Sequence, residues 1–172
     1  HGFACGGFLI DGGRASCEPL YQEQPTLGVL VSRTTFPTDW RIILAAPLKT
    51  SGLSGDAEIR AFAAQPPMSS ALTGELCRIV LTEWLPAILE VDFARCSSAM
   101  YDFGTAVGRF FEPAQGGIFA HPRMSELADG LRQRGVRGIA QTSWGPTLAI
   151  LSPNPSEATR LASEFRNDRN WA

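Results

Sequence analysis

The apolar positions of this chain change rhythm along its length. Up to about Pro47 they come as short runs, "GGFLIDGG" (6–13), "GVLVSRTTF" (28–36) and "DWRIILAAP" (39–47). Their β-branched and aromatic content suits half-buried pleated strands. Residues 14–27 are polar, with Pro19 and Pro25, and read as loop. From Thr50 the apolar spacing lengthens to three and four. Ile59, Phe62 and Ala63 mark one helical face, then Leu72, Leu76, Val80, Trp84 and Ile88 a second, with a kink or break expected near Pro86. A third face runs through Phe93, Cys96, Met100, Phe103, Val107 and Phe110 and is expected to be core. A shorter helix carries Met124, Leu127, Ala128 and Leu131.

The period then returns to two. Segments 136–143 and 147–152 read as strands joined by a tight turn. The last helix has Asn154 as its cap, Pro155 at its first position and Glu157 three residues after the cap, with a buried stripe of Ala158, Leu161, Ala162 and Phe165. Strands and helices are grouped rather than alternating. That order predicts an α+β fold, an antiparallel sheet with helices packed on one face, and a single domain over residues 1–172.

Composition narrows the function class. Hydrophobic content is 44% and charged content 19%, ordinary for a globular core, and the net charge of −2 offers no field to hold a nucleic-acid backbone. Lys49 is the single lysine beside fourteen arginines, whose planar forks suit phosphate or carboxylate. Cys5, Cys17, Cys77 and Cys96 are scattered without a C-x-x-C pair, so reduced thiols are expected. No apolar run approaches the roughly 20 residues of a membrane span, and nothing at the start resembles a signal peptide, so a cytoplasmic location is expected. The chain opens without Met on a segment already strand-like, which points to the later part of a longer protein.

Candidate chemistry is sparse. With only His1 and His121 and no thiolate pair, no metal-ligand set emerges. A Ser/His/Asp arrangement built on His121 lacks a G-x-S-x-G elbow. "GLSGDAE" (52–58) places Gly52, Gly55 and Glu58 at a helix start, where free N–H groups favour a phosphate. The same glycines also suit a plain strand-to-helix turn. "AQGG" (114–117) offers Gln115, Gly116 and Gly117 between helices, as a turn or as an amide beside a ligand. In "QTSWGPTLAIL" (141–151), Ser143, Trp144, Gly145 and Thr147 sit where a hairpin would carry Asn-Gly. Trp144 there either folds over the sheet or faces a ligand.

Taken in order, "HGFACGGFLIDGG", "FPTDWRIILAAP", "GLSGDAE", "LPAILEVDF", "QGGIF" and "QTSWGPTLAIL" resemble the β-ribofuranosylaminobenzene 5′-phosphate synthases, a family similar in fold to the GHMP kinases, from His1 to about Leu151. The resemblance implies a ferredoxin-like C-terminal portion whose N-terminal phosphate-loop domain lies outside this chain. It implies a decarboxylating pentosyltransferase of methanopterin biosynthesis. Such an enzyme joins a 4-aminobenzoate-type acid to phosphoribosyl pyrophosphate, with Mg²⁺, releasing CO2 and pyrophosphate. By position, His1 becomes the catalytic or orienting residue, and Gly6 and Gly7 join Gly52, Gly55, Glu58, Gln115, Gly116, Gly117, Ser143, Trp144, Gly145 and Thr147 as substrate contacts. Trp144 would then wall the aromatic acid, while Asp11 stands near the sheet edge or in a turn. Ala140 and Thr142 depart from the Gly and Ser the family pattern leads one to expect, which puts substrate preference in question. A GHMP-type small-metabolite kinase and a non-catalytic ligand-binding domain are the alternatives, and family habit with the apolar helical face points to a homodimer.

Overall fold

The computed structural model of the protein describes residues 6–12, 28–48, 50, 55–143, 145–168 and 170–171. Their contacts group into two units, His1–Thr38 and Asp39–Ala172. In the first, strand β1 (Phe8–Asp11) pairs antiparallel with β2 (Leu30–Thr34), Phe8 opposite Thr34, with a register shift between Ile10 and Asp11. Gly7 has φ +91°, and a Cβ there would stand 2.6 Å from the Thr34 carbonyl oxygen. Only glycine allows that approach. The Gly12 N–H closes the other end onto the Val29 carbonyl at 2.8 Å.

The second unit is built on a three-stranded antiparallel sheet. Strands β3 (Arg41–Ala45), β4 (Ile139–Gln141) and β5 (Leu148–Ser152) lie in the order β3-β5-β4. Ile43 pairs with Ile150, which pairs in turn with Ile139. Because side chains alternate across the pleat, these three share one face with Ala45 and Leu148. The opposite face carries Ile42, Leu44, Ala149, Leu151 and Ala140. The expected strands at 28–36 and 39–47 thus exist but enter different sheets, β2 with β1 and β3 with β5.

Among the described residues, six α-helices follow the expected periodicities. They are α1 (Asp56–Ala64), α2 (Ser70–Arg78), α3 (Leu85–Leu89), α4 (Phe93–Gln115), α5 (Pro122–Gln133) and α6 (Pro155–Asn167). A π-helical stretch, Ile79–Trp84, joins α2 to α3. The irregularity expected near Pro86 therefore appears as a widened turn just before it. Pro86 has no N–H to return to the Thr82 carbonyl and would crowd it. That carbonyl instead accepts from the Arg95 guanidinium at 2.7 Å. Asn154 caps α6 as expected, its Oδ1 accepting from the Glu157 N–H at 2.8 Å. His121 turns out to cap α5, with its Nδ1 accepting from the Arg123 N–H at 3.1 Å.

The class is α+β with antiparallel sheets, consistent with a ferredoxin-like arrangement. Helices α5 and α6 cover the Ile43–Ile150–Ile139 face. Met124, Ala128, Leu131, Leu161 and Phe165 pack there with Ala45, Leu148 and Trp171 into the main core. Helix α4 lies on the other face, against β4. Gly104 is so close that a Cβ would stand 2.9 Å from that of Ala140. The far part of that face stays open, with Ile42 and Leu44 exposed.

Candidate functional site

Helix α4 packs through its smallest residues. Ser97, Gly104 and Gly108 fall on one stripe at steps of seven and four. A Cβ on Gly108 would collide with the Ile118 carbonyl oxygen, and Gly138 of the α5–β4 loop sits against Ser97 and Leu151. Beside the two glycines, large side chains from three elements stand around a space none of them fills. The resulting cavity, about 370 Å³, is walled by Phe62 of α1, Trp84 of the π-helical stretch, and Phe103 and Phe111 of α4. Phe62 meets Phe111 edge-on at 5.8 Å between centroids, and Trp84 meets Phe103 at 5.5 Å with the rings inclined by 58°. The volume lies in the range of small-ligand pockets. Aromatic walls favour a flat ring through edge and offset contacts.

Polar groups gather at one side of this space, where Gln115, Gln141 and Ser143 join the lining. The Gln115 Nε2 donates to the Gly117 and Ile118 carbonyls, both at 2.9 Å. Its Oε1 accepts from the Gln141 Nε2 at 3.1 Å. Gln141 in turn accepts from the Ala120 N–H at 2.7 Å and donates to the Ser143 carbonyl at 2.9 Å. Two amides thus tie the end of α4, the loop before α5 and the β4–β5 turn into one network. Ser143 sits at φ 46°, a left-handed conformation uncommon outside glycine, and its side chain is exposed.

Of the residues singled out in the sequence, Gln115 and Ser143 line the cavity together. Gly116 ends α4 in the left-handed region at φ +85°, and Gly117 supplies a carbonyl to Gln115. Gly145 and Thr147 shape the turn: the Gly145 N–H donates to the Thr142 carbonyl at 3.2 Å, and the Thr147 N–H to the Gly145 carbonyl at 2.8 Å. Gly55 is the N-cap of α1, with no side-chain cap bond. Gly6, Gly7 and Asp11 belong to the β1–β2 unit. His1, Gly52, Trp144 and the Glu58 side chain lie outside the described residues.

The aromatic walls were hidden inside a pattern that reads as core, since Trp84 and Phe103 fall on apolar helical stripes. The readable signal was Gly104 and Gly108 in mid-helix, where glycine is unfavourable without a packing reason. Among the described residues no group of three or more His, Cys, Asp or Glu gathers that could hold a metal ion.

Behind the cavity, Cys96 is buried and its thiol is pushed up to about 11. Loss of solvation dominates, a hydrogen bond with Trp84 pulls the other way, and the Asp92 charge adds a smaller upward push. At pH 8 Cys96 is therefore held as the thiol rather than the thiolate, the reactive form. Cys77 is exposed. Iodoacetamide at pH 8 is accordingly expected to modify Cys77 and spare Cys96 until denaturant is added, as read by peptide mass spectrometry. Equal labelling of both in the folded protein would contradict the buried placement.

No protein-family model matches the chain. The chain is similar to two curated proteins, each named beta-ribofuranosylphenol 5′-phosphate synthase. That of Methanothermobacter thermautotrophicus is 28% identical over 170 residues, covering 95% of this chain and 50% of the relative. That of Archaeoglobus fulgidus is 30% identical over 179 residues, covering 98% and 52%. The chain spans about half the length of these relatives. No helix among the described residues is long and apolar enough to cross a membrane.

Proposed function

From the similarity to proteins named as synthases, we propose that this chain is part of a transferase joining an aromatic acid to a ribosyl phosphate donor, with the aromatic cavity holding the ring. The single observation that carries the proposal is a space of about 370 Å³ walled by Phe62, Trp84, Phe103 and Phe111, in a chain similar to enzymes whose named product bears a ring on a ribosyl phosphate. The relatives' name places a phenol on that product, so 4-hydroxybenzoate stands beside 4-aminobenzoate as candidate substrate.

In the proposed reaction the ring carbon bearing the carboxylate bonds to the ribosyl carbon. Pyrophosphate leaves that carbon with its bonding pair. The ring carbon then releases CO2, and the electrons of the broken bond restore aromaticity. The chain's part is to hold the ring flat and exclude water from the cationic sugar. The N-terminus of α1, at Gly55, is proposed to face the donor's phosphates. Seven residues separate it from Phe62, roughly 10 Å along the helix axis at 1.5 Å per residue. That separation matches the reach from an aromatic ring across a ribose to its phosphate. In the same reading Gly52, Glu58, Gly116, Gly117, Trp144, Gly145 and Thr147 contact the donor or the acid, with Gln115 and Ser143 at the cavity's polar side. Mg²⁺ accompanies the pyrophosphate, and the protein acts in methanopterin biosynthesis.

Binding of 4-hydroxybenzoate and 4-aminobenzoate, followed by quenching of Trp fluorescence, tests the ring site. Release of CO2 with phosphoribosyl pyrophosphate tests the reaction. Saturable binding weakened about tenfold or more by Phe103→Ala is expected. Binding indifferent to Phe103→Ala would remove the cavity from the reaction, and ATP-dependent phosphate transfer without CO2 release would favour a kinase of the GHMP type.

A further inference from the structure

A second cavity, of about 530 Å³, opens between the start of α4, the α5–β4 loop and the first turns of α6. None of its lining residues is shared with the aromatic cavity. Arg134, Arg137 and Arg160 line it against a single carboxylate, Glu157. That carboxylate is already engaged: Glu157 receives two bonds from Arg160, at 3.0 and 2.5 Å, and the hydrogen bonds hold it below the usual carboxylate range. Glu164 similarly binds Arg134 and Arg160, at 2.7 and 2.6 Å. Arg137 differs from both. Among the described residues its guanidinium has no hydrogen bond and no ion pair, leaving a complete five-donor fork at the cavity.

A second observation points the same way. Ser97 also lines this cavity, is 1% exposed, and its buried hydroxyl has no hydrogen-bond partner among the described residues. A buried hydroxyl left unpaired is costly, and a ligand oxygen would satisfy it. The remaining wall is partly apolar, through Leu151 and Leu161. One free planar cation, two further guanidiniums, an unpartnered donor and apolar wall together describe a receptor for a tetrahedral oxyanion carried on a small organic body.

We propose that this cavity binds a small phosphate monoester, with Arg137 as the main anion contact and Ser97 as a buried donor. The site is independent of the aromatic-acid reading. It is tested on the full 172-residue chain by calorimetric titration with inorganic phosphate and, separately, with ribose 5-phosphate at fixed ionic strength. Saturable one-to-one binding is expected, tighter for ribose 5-phosphate. Arg137→Ala should weaken it by about tenfold or more, and Arg137→Lys by less, since a point charge replaces the fork. Ser97→Ala, which keeps the helix and its packing, should weaken it by about threefold to tenfold. Arg109→Ala, an exposed site on α4 outside both cavities, should leave it unchanged.

Equal affinity for the two probes would redefine the ligand as inorganic phosphate and overturn the monoester assignment. Undiminished binding in Arg137→Ala, or equal weakening in Arg109→Ala, would overturn the site itself, the latter by exposing diffuse surface attraction. Because aromatic-acid binding is read with a different probe and different variants, either proposal can fail while the other stands.

Discussion

Replacing Gln141 with leucine is expected to lower stability by about 3–5 kcal/mol, although the residue is only half-buried and lies at the end of a three-residue strand. One amide there serves three groups: it accepts the Ala120 N–H and donates to the Gln115 Oε1 and to the Ser143 carbonyl. Leucine fills similar space and answers none of them. Each group left without a partner away from water costs about 1–3 kcal/mol. The loss should not stay local, because the network joins the last turn of α4 to the turn that holds Ser143 at positive φ. Gln115→Leu should be nearly as damaging, since the Gly117 and Ile118 carbonyls lose their donor. The double variant should fall short of the sum by about 1–2 kcal/mol, as expected for residues of one network. Urea unfolding of the four proteins measures this, and a Gln141→Leu loss below about 1 kcal/mol would show that water replaces the amide freely.

That network marks the boundary of what the sequence made legible. Helices were readable wherever one apolar face met the core, as in α5 and α6, whose Met124, Leu131, Leu161 and Phe165 all proved buried. The cap at Asn154 was equally local and equally plain. Strand partners were not readable. The two runs joined across Pro37 enter different sheets because pairing is decided by distant segments, β3 by β5 more than a hundred residues on. The second layer of helix was missed for a related reason. α4 meets β4 at Gly104, with Gly108 against Ile118 and Ser97 against Gly138, so the contact is a surface defined by the absence of large apolar residues.

The site divides along the same line. Gln115 and Ser143 drew notice because an amide beside two glycines and a hydroxyl in a hairpin turn are locally unusual, and the fold brings them to one cavity. Phe62, Trp84 and Phe103 lie on apolar stripes that read as ordinary core, and Phe111 lies off the stripe that carries Phe110. What distinguishes them is that the two α4 glycines leave nothing for the rings to pack against on one side. The departures noted at Ala140 and Thr142 fall at the same place: Ala140 lines the cavity opposite Gly104, and Thr142 holds the turn by its N–H to the Thr147 carbonyl at 2.9 Å. A glycine at 140 would widen the space proposed to hold the ring, so on that reading this one methyl is positioned to select among ring substituents.

Val107→Trp should separate packing from binding most sharply. Val107 lines the aromatic cavity from α4. An indole placed there occupies existing space, so the overpacking penalty usual in a filled core should not arise. The melting temperature is expected to move by no more than about 2 °C. Affinity for a benzoate-type acid should collapse. A ring burying about 120 Å² gains roughly 3 kcal/mol from the cavity, and losing that corresponds to more than a hundredfold. Phosphate binding at the Arg137 cavity should be unaltered, which controls for global damage. A variant with unchanged stability and unchanged aromatic-acid affinity would show that the ring binds elsewhere. A fall in melting temperature beyond about 8 °C would show that the space between Phe62, Trp84, Phe103 and Phe111 is closed in solution.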